Sequence, residues 1–259
     1  SMLEDNLTFV TAPVTMMLIG TAAGTLPAAF LMRALGRKWG FAIGSLVGVF
    51  GSMVAAYAIS IDTFLLFNFG IFLFGMHGGA AQQYRFAAAD VAPEHIKAKS
   101  VAIVIAMGVV GGIVGPETVI LTKNTISTFP FEGTFWALAA FCLLSSIVIL
   151  GVDIPKLNNK EYRNTGRPLS RIMLNHTFVV ALIAALFGYS VMNLLMTATP
   201  VTMRLETFTD DSITRVIQWH VIGMFAPGFF TGSLIKYFGV VRIIVAGSSL
   251  LLISVCIAL

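Results

Sequence analysis

The stretch Ile19–Ser45, IGTAAGTLPAAFLMRALGRKWGFAIGS, returns without a gap 203 residues later as Ile222–Ser248, IGMFAPGFFTGSLIKYFGVVRIIVAGS. Each copy is an apolar run that ends in a short basic turn and leads into a second apolar run. Two hydrophobic hairpins related in this way are typical of membrane proteins that consist of two similar halves. The repeat therefore predicts an all-α, polytopic transmembrane bundle with internal pseudo-symmetry.

The composition predicts that lipid is the main solvent of this chain. Of its 259 residues, 57% are hydrophobic and only 11% are charged, whereas a soluble domain carries about 25% charged residues. The net charge of +4 comes from basic residues in short turns between apolar runs, so it predicts membrane topology and no nucleic-acid partner. Cys142 and Cys256 lie inside apolar runs, which favours neither a disulfide framework nor a thiolate metal site.

Eight apolar segments are long enough to cross a bilayer core, which takes about 20 helical residues. They cover residues 10–32, 40–60, 64–85, 99–121, 133–152, 175–198, 213–235 and 241–259.

Basic residues fall mainly on one side of these spans, and this bias predicts the orientation of the chain. Of the 16 Lys and Arg residues, only Lys123, Arg204 and Arg215 fall on the opposite side. We therefore place the basic turns in the cytoplasm, in a plasma membrane of the bacterial inner-membrane type, and the first residues outside. The cytoplasmic residues are Arg33, Arg37, Lys38, Arg85, Lys97, Lys99, Lys156, Lys160, Arg163, Arg167, Arg171, Lys236 and Arg242.

Orientation and repeat together predict twelve helices in two halves of six, of which this chain supplies helices two to nine. Residues 1–152 are expected to form an N-terminal bundle with helices two to six. Residues 153–174 are expected to form a cytoplasmic central loop, and residues 175–259 the start of a C-terminal bundle with helices seven to nine. By this interpretation the sequence is truncated at both ends.

Three local patterns accompany this topology: the turn Leu35–Lys38, the segment Asp90–Ala98 and the glycines of Gly111–Pro116. In this arrangement the chain resembles the major facilitator superfamily. The first two patterns resemble the loops between family helices two and three and between helices four and five. The third is similar to the Gly-x-x-x-Gly-Pro pattern of family exporters. Gating or loop-motif roles are expected for Gly36, Arg37, Lys38, Arg85, Asp90, Gly111, Gly115 and Pro116.

Three ionisable side chains lie at membrane depth, where a charge costs about 2.5–3.5 kcal/mol on insertion scales. Glu117 follows Pro116 and is the favoured proton carrier; alternatively it reaches the outer interface and pairs with Lys123. His77 and His220 lie near the middle of their spans. They form either a midplane site for a proton or an anion, or hydrogen bonds between helices. We expect no metal site, since no carboxylate or thiol accompanies the histidines at ligand spacing.

Two polar groups complete the expected substrate and proton pathway. Tyr189 and Asn193 are four residues apart and therefore share a helix face. Gln82 and Gln83, followed by Tyr84 and Arg85, end a span on the cytoplasmic side. They form either an inner mouth or an interfacial anchor, and Arg85 is a candidate partner for Asp90.

Small residues recur at four-residue spacing in most spans, which predicts close contacts between helix backbones. The doubled pattern that ends at Pro116 is expected to be a moving contact. The patterns are Gly20/Gly24, Gly40/Gly44/Gly48, Gly75/Gly79, Gly108/Gly112, Gly111/Gly115 and Gly228/Gly232.

These features favour a secondary transporter that moves a small organic solute by alternating access, by proton-coupled antiport in the direction of efflux. A proton-linked importer and a non-transporting receptor or assembly protein on the same fold are the alternatives. No phosphate-binding loop or hydrolytic motif occurs in the sequence, so neither an ATP drive nor an enzyme is expected. The expected partners are the solute, protons and lipid. No cofactor is expected, and an oligomer is not required.

Overall fold

The computed structural model describes residues 9–126, 129–154 and 169–258, and every regular element in these ranges is helical. The basic residues Lys156, Lys160, Arg163 and Arg167 of the predicted central loop lie outside the described residues. The α-helices are α1 (Ala12–Leu35), α2 (Arg37–Ser60), α3 (Phe64–Ala81), α4 (Tyr84–Val91), α5 (Lys97–Ala106), α6 (Gly108–Thr122), α7 (Glu132–Gly151), α8 (Leu169–Met173), α9 (His176–Leu205), α10 (Asp210–Phe225), α11 (Gly228–Phe238) and α12 (Val240–Ala258). A 3-10 turn, Glu94–Ile96, precedes α5.

The predicted spans are confirmed as helical segments. Within the described part of the chain, seven segments of 20 to 30 residues are apolar enough to cross a membrane. The eighth predicted span is α12, with 19 residues. The third predicted span ends later than expected, because α4 continues to Val91 after a break at Gln82 and Gln83.

The sequence repeat corresponds to a repeated turn. Gly36 ends α1 with φ 91° and ψ 160°, and Gly239 ends α11 with φ 80° and ψ 156°. The amide of Gly36 donates to the carbonyl of Met32, and that of Gly239 to the carbonyl of Ile235, each at 2.9 Å. This backbone region is essentially restricted to glycine. A glycine therefore recurs where one helix ends and the next begins at once.

Glycines set the close approach of α1 to α3. A Cβ built on Gly79 would lie 2.5 Å from the carbonyl oxygen of Thr21 and 2.9 Å from the amide nitrogen of Thr25. Gly20 and Gly24 meet the backbone of α3 in the same way. Because only a residue without a side chain fits at these points, the predicted small-residue patterns bring the two backbones into contact.

Small hydroxyl groups join α2 to α7 in the same bundle. The Ser146 hydroxyl donates to the carbonyl of Ala42 at 3.3 Å, and the hydroxyls of Ser45 and Ser145 lie 3.4 Å apart. Inside lipid, such groups must find partners within the protein. Helices α1, α2, α3 and α7 thus form one packed unit.

A second contact surface joins α5 and α6 to α10 and α11, which lie on the two sides of the predicted central loop. A Cβ on Gly112 would lie 2.7 Å from Cγ1 of Val221, and one on Gly108 would lie 2.5 Å from the Phe225 ring. We call these two contacts, Gly108 with Phe225 and Gly112 with Val221, the apolar seam. It brings α6 and α10 together along their apolar faces.

Of the doubled glycine pattern, Gly111 and Gly115 do not lie in the apolar seam, and the expected moving contact at this pattern stays a prediction. A Cβ on either residue meets no described atom within 4 Å, whereas Gly112 is buried. An α-helix has 3.6 residues per turn. Residues 108 and 112 therefore lie on one helix face, and residues 111 and 115 lie on a neighbouring face. The spacing predicts a shared face, and tertiary packing decides which face is covered.

Candidate functional site

Three polar side chains meet where α6 and α10 approach each other beyond the apolar seam. Arg215 forms an ion pair with Glu117 through Nη1 and Oε1, and its Nη2 lies 3.4 Å from Oε2. The same Nη1 donates to Oε1 of Gln218 at 2.9 Å, and Nε2 of Gln218 donates to Oε1 of Glu117 at 3.3 Å. We call Glu117, Arg215 and Gln218 the outer cluster, because the charge distribution predicts that this end faces outside.

Local sequence explains how the outer cluster is assembled. Arg215 and Gln218 are three residues apart on α10, so their side chains lie on one face. This helix begins at Asp210 after the Thr209 side chain caps it by accepting from the amide of Ser212 at 3.3 Å. Glu117 lies one residue beyond Pro116 on α6, on the side that meets α10.

Gln218 is the buried member of the cluster, with 6% of its surface exposed. Its Nε2 also lies 3.4 Å from the carbonyl oxygen of Ile113. A buried amide is costly unless it is hydrogen-bonded. Both acceptors of its amide nitrogen belong to α6, so these hydrogen bonds of Gln218 exist only while α6 and α10 are in contact.

The alternative pairing of Glu117 with Lys123 is wrong. Lys123 Nζ instead donates to Oδ1 of Asp211 at 2.6 Å, which adds a second ion pair between α6 and α10. The Asp211 side chain is 56% exposed. The Arg215 and Glu117 side chains are 49% and 38% exposed, so both ion pairs are partly solvated, and exposed ion pairs contribute little to stability by themselves.

His77 lies inside the bundle of α1, α2, α3 and α7. Its Nδ1 is 3.2 Å from the carbonyl oxygen of Gly44 on α2. A Cβ on Gly48 would meet both the His77 ring, at 2.8 Å, and Sγ of Cys142, at 3.0 Å. These contacts favour the interpretation in which His77 forms a hydrogen bond to a neighbouring helix.

His220 lies on α10, one turn before the level of Met224, and its Nε2 is buried without a hydrogen-bond partner among the described residues. No contact found in the described ranges joins His220 to His77. The shared midplane site predicted for the two histidines therefore stays a prediction.

At the opposite end of the spans, the turn between α1 and α2 is tied to α4. Arg37 forms an ion pair with Asp90 through Nη2 and Oδ2, while the guanidinium carbon of Arg85 lies 5.0 Å from the centre of the Phe86 ring. The predicted pairing of Arg85 with Asp90 is thus wrong, and Arg37 takes that place. Lys38 follows Arg37 in the first turn of α2.

The predicted inner mouth coincides with the break between α3 and α4. Gln82 caps the end of α3, and its backbone amide donates to the carbonyl of Gly78 at 3.0 Å. Gln83 Nε2 reaches across to the carbonyl of Thr25 on α1 at 3.3 Å. One glutamine therefore joins two helices, and its role in a mouth stays a prediction.

Tyr189 and Asn193 lie together on α9, as predicted. Asn193 Nδ2 donates to the carbonyl of Tyr189 at 3.0 Å. The Tyr189 side chain is 51% exposed. Their part in a substrate pathway stays a prediction.

Sequence reasoning missed Arg215 and Gln218. From the sequence, Arg215 stands out only as one of the few basic residues on the outer side. A signal was present, however, since an arginine and a glutamine at a spacing of three within an apolar span place two polar groups on one face. Over the described ranges, no three His, Cys, Asp or Glu side chains converge on a point that could hold a metal ion.

Comparison with known proteins gives a consistent result. The profile of the family described as Major Facilitator Superfamily matches residues 3–259. The chain is 39% identical to the riboflavin transporter RfnT of Brucella anthropi, over 99% of this chain and 65% of that protein. It is also 24% identical to two uncharacterized MFS-type transporters of Bacillus subtilis. For YdeG the match covers 96% of this chain and 61% of the relative, and for YddS 93% and 58%.

The chain thus spans less than two thirds of the length of each of these relatives. No solved structure matches it.

Proposed function

Because this chain belongs to the major facilitator superfamily, we propose that it forms part of a secondary transporter that moves a flavin or a similar small organic solute across a bacterial inner membrane. The 39% identity to a protein named as a riboflavin transporter supports this class of solute. In the proposed mechanism, the part before residue 153 and the part after residue 174 belong to two bundles that rock against each other.

The outer cluster is the observation that carries the proposal. An ion pair placed within apolar spans is costly to insert, so such residues mark pathways more often than plain packing. Here Glu117 and Arg215 lie on opposite sides of the contact between α6 and α10. A contact that must form and break in each transport cycle is the place where charge affects the balance between two states.

Glu117 is the proposed coupling residue. As a carboxylate it binds Arg215, and as a neutral acid it loses that ion pair. A proton on Glu117 therefore binds one conformation better than the other, which is the requirement for linking proton movement to solute movement. We propose exchange of protons against the solute, which is antiport.

The test uses the full-length transporter that contains this chain, reconstituted in proteoliposomes with [³H]riboflavin. Saturable counterflow is the expected result, and release of protons to a pH-sensitive dye should accompany net flavin movement. The variant Glu117→Gln should keep counterflow and lose the proton signal, since it preserves shape but cannot ionise.

Glu132→Gln is the matched control. Glu132 lies at the same end of the bundle, on α7, and its Oε1 accepts from Nε1 of Trp136 at 3.2 Å. This variant should behave as the wild type. Proton movement that persists unchanged in Glu117→Gln would refute the coupling role, and proton uptake in the same direction as flavin would identify symport instead of antiport.

A further inference from the structure

The contact between α6 and α10 consists of two layers with different chemistry. Toward the middle of the spans lies the apolar seam, where Gly112 meets Val221 and Gly108 meets the Phe225 ring. Toward the outer end lies the outer cluster. The apolar seam contains only van der Waals contacts, so its two faces can separate or slide without breaking a hydrogen bond. The hydrogen bonds and the ion pair belong to the outer cluster.

Both sides of this contact are interrupted at the same level. The α5–α6 segment is broken at Met107, and the α10–α11 segment at Ala226 and Pro227. The two breaks face each other, since Gly108 lies against Phe225 and a Cβ on Gly228 would lie 3.3 Å from Cβ of Ala106. Pro227 has no amide hydrogen, which removes one helical hydrogen bond and loosens the segment there.

Below the breaks, small residues bring α5 and α11 together. A Cβ on Gly232 of α11 would lie 3.7 Å from Cβ of Ala102 on α5. Ordinary van der Waals contact of this kind holds the inner segments together but carries no charge. Among the described residues, the ion pairs Glu117–Arg215 and Lys123–Asp211 lie beyond the breaks, at the outer ends of α6 and α10.

We propose that Arg215 and Gln218 are gating residues that, with Glu117, latch α6 to α10, and that opening of the outer side swings these two segments apart about the facing breaks. This inference rests on the proposed function, because a latch is required only if the outer side opens. Arg215 supplies the charge that holds Glu117. Gln218 positions both, since its amide is bonded to each of them and to the backbone of α6.

The other charged groups near Glu117 do not replace this latch. On α10, Asp211 is bonded to Lys123 of α6, and on α7, Glu132 is bonded to Trp136. The basic residues of α5 lie at its beginning, the end of the α5–α6 segment far from Glu117. A proton on Glu117 therefore weakens one ion pair and leaves the Lys123 pair intact.

Cysteine chemistry on the apolar seam tests the latch directly. In the full-length transporter with Cys142, Cys256 and any other cysteine replaced by serine, a single Val221→Cys reports access to the seam through its rate of labelling by a maleimide. Arg215→Gln removes a hydrogen bond to the Glu117 carboxylate, and Gln218→Leu removes the buried amide. Each variant should therefore raise the labelling rate roughly tenfold. Asp211→Asn is the control and should leave the rate within about twofold.

A cross-link tests the movement itself. A Cβ on residue 112 would lie 3.3 Å from Cβ of Val221, close to the separation of about 3.8 Å in disulfides. Oxidation of the pair Gly112→Cys and Val221→Cys should abolish [³H]riboflavin counterflow, and a reductant should restore it. The charge-exchanged variant Glu117→Arg with Arg215→Glu should return maleimide labelling toward the slow wild-type rate, which separates a latch from a folding defect.

The outcomes distinguish the two proposals. Labelling of Val221→Cys that is unchanged by both Arg215→Gln and Gln218→Leu would overturn the latch while leaving flavin transport standing. Counterflow that survives the oxidised cross-link would also overturn it. Absence of counterflow in the wild-type full-length transporter would overturn the proposed function instead.

Discussion

Replacement of Gly79 by alanine gives the most direct test of how the helices pack. The added methyl group would lie 2.5 Å from the carbonyl oxygen of Thr21, 2.9 Å from the amide nitrogen of Thr25 and 3.1 Å from the carbonyl carbon of Gly24. Optimal contacts between heavy atoms are at about 3.5 Å, so the closest overlap is roughly 1 Å. All three atoms belong to the backbone of α1. No side-chain rotation relieves the clash, and α1 and α3 must move apart.

The magnitude follows from two opposing effects. Overpacking of this kind costs about 1–3 kcal/mol, while alanine gains about 0.5–1 kcal/mol over glycine within a helix. We therefore expect a net loss of roughly 1–2 kcal/mol in the free energy of unfolding. That loss corresponds to a change of between about five- and thirty-fold in the unfolding equilibrium.

Gly111→Ala is the matched control, since it is the same substitution in a helix. A Cβ at this position meets no described atom within 4 Å, so only the helix-propensity gain remains and stability should stay equal or rise slightly. Equilibrium unfolding of both variants in mixed detergent micelles measures the difference. Equal stability of Gly79→Ala and the wild type, or equal losses in the two variants, would refute the packing argument.

Three further predictions concern the turns and the bundle interior. Gly36→Ala and Gly239→Ala should each lower the free energy of unfolding by about 1–3 kcal/mol, because both residues have backbone angles that are essentially restricted to glycine. A loss in only one of the two variants would show that the two turns are not equivalent. Asp90→Asn removes the partner of Arg37 and should cost about 1 kcal/mol or less while speeding proteolysis of this turn, and proteolysis at the wild-type rate would contradict that role. His77→Gln keeps a hydrogen-bonding group toward the carbonyl of α2 and should retain flavin counterflow, whereas abolished counterflow in a folded variant would return His77 to the transport pathway.

The amino-acid sequence by itself determined the spans and the turn repeat. Spans follow from composition, because a run of about 20 apolar residues has no stable place except in lipid. The turn repeat follows from the backbone, since Gly36 and Gly239 adopt dihedral angles that other residues avoid. Both are local properties, so they can be inferred from one segment at a time.

Tertiary structure alone decided which polar groups meet. The sequence singled out Glu117, but its partners Arg215 and Gln218 are about a hundred residues away and come close only because α6 packs on α10. In the same way, the sequence offered Lys123 as a partner for Glu117 and Arg85 as a partner for Asp90. Packing instead placed Lys123 beside Asp211 and Arg37 beside Asp90. An ion pair depends on the distance between charges, and in a helical bundle that distance is set by which faces are buried together.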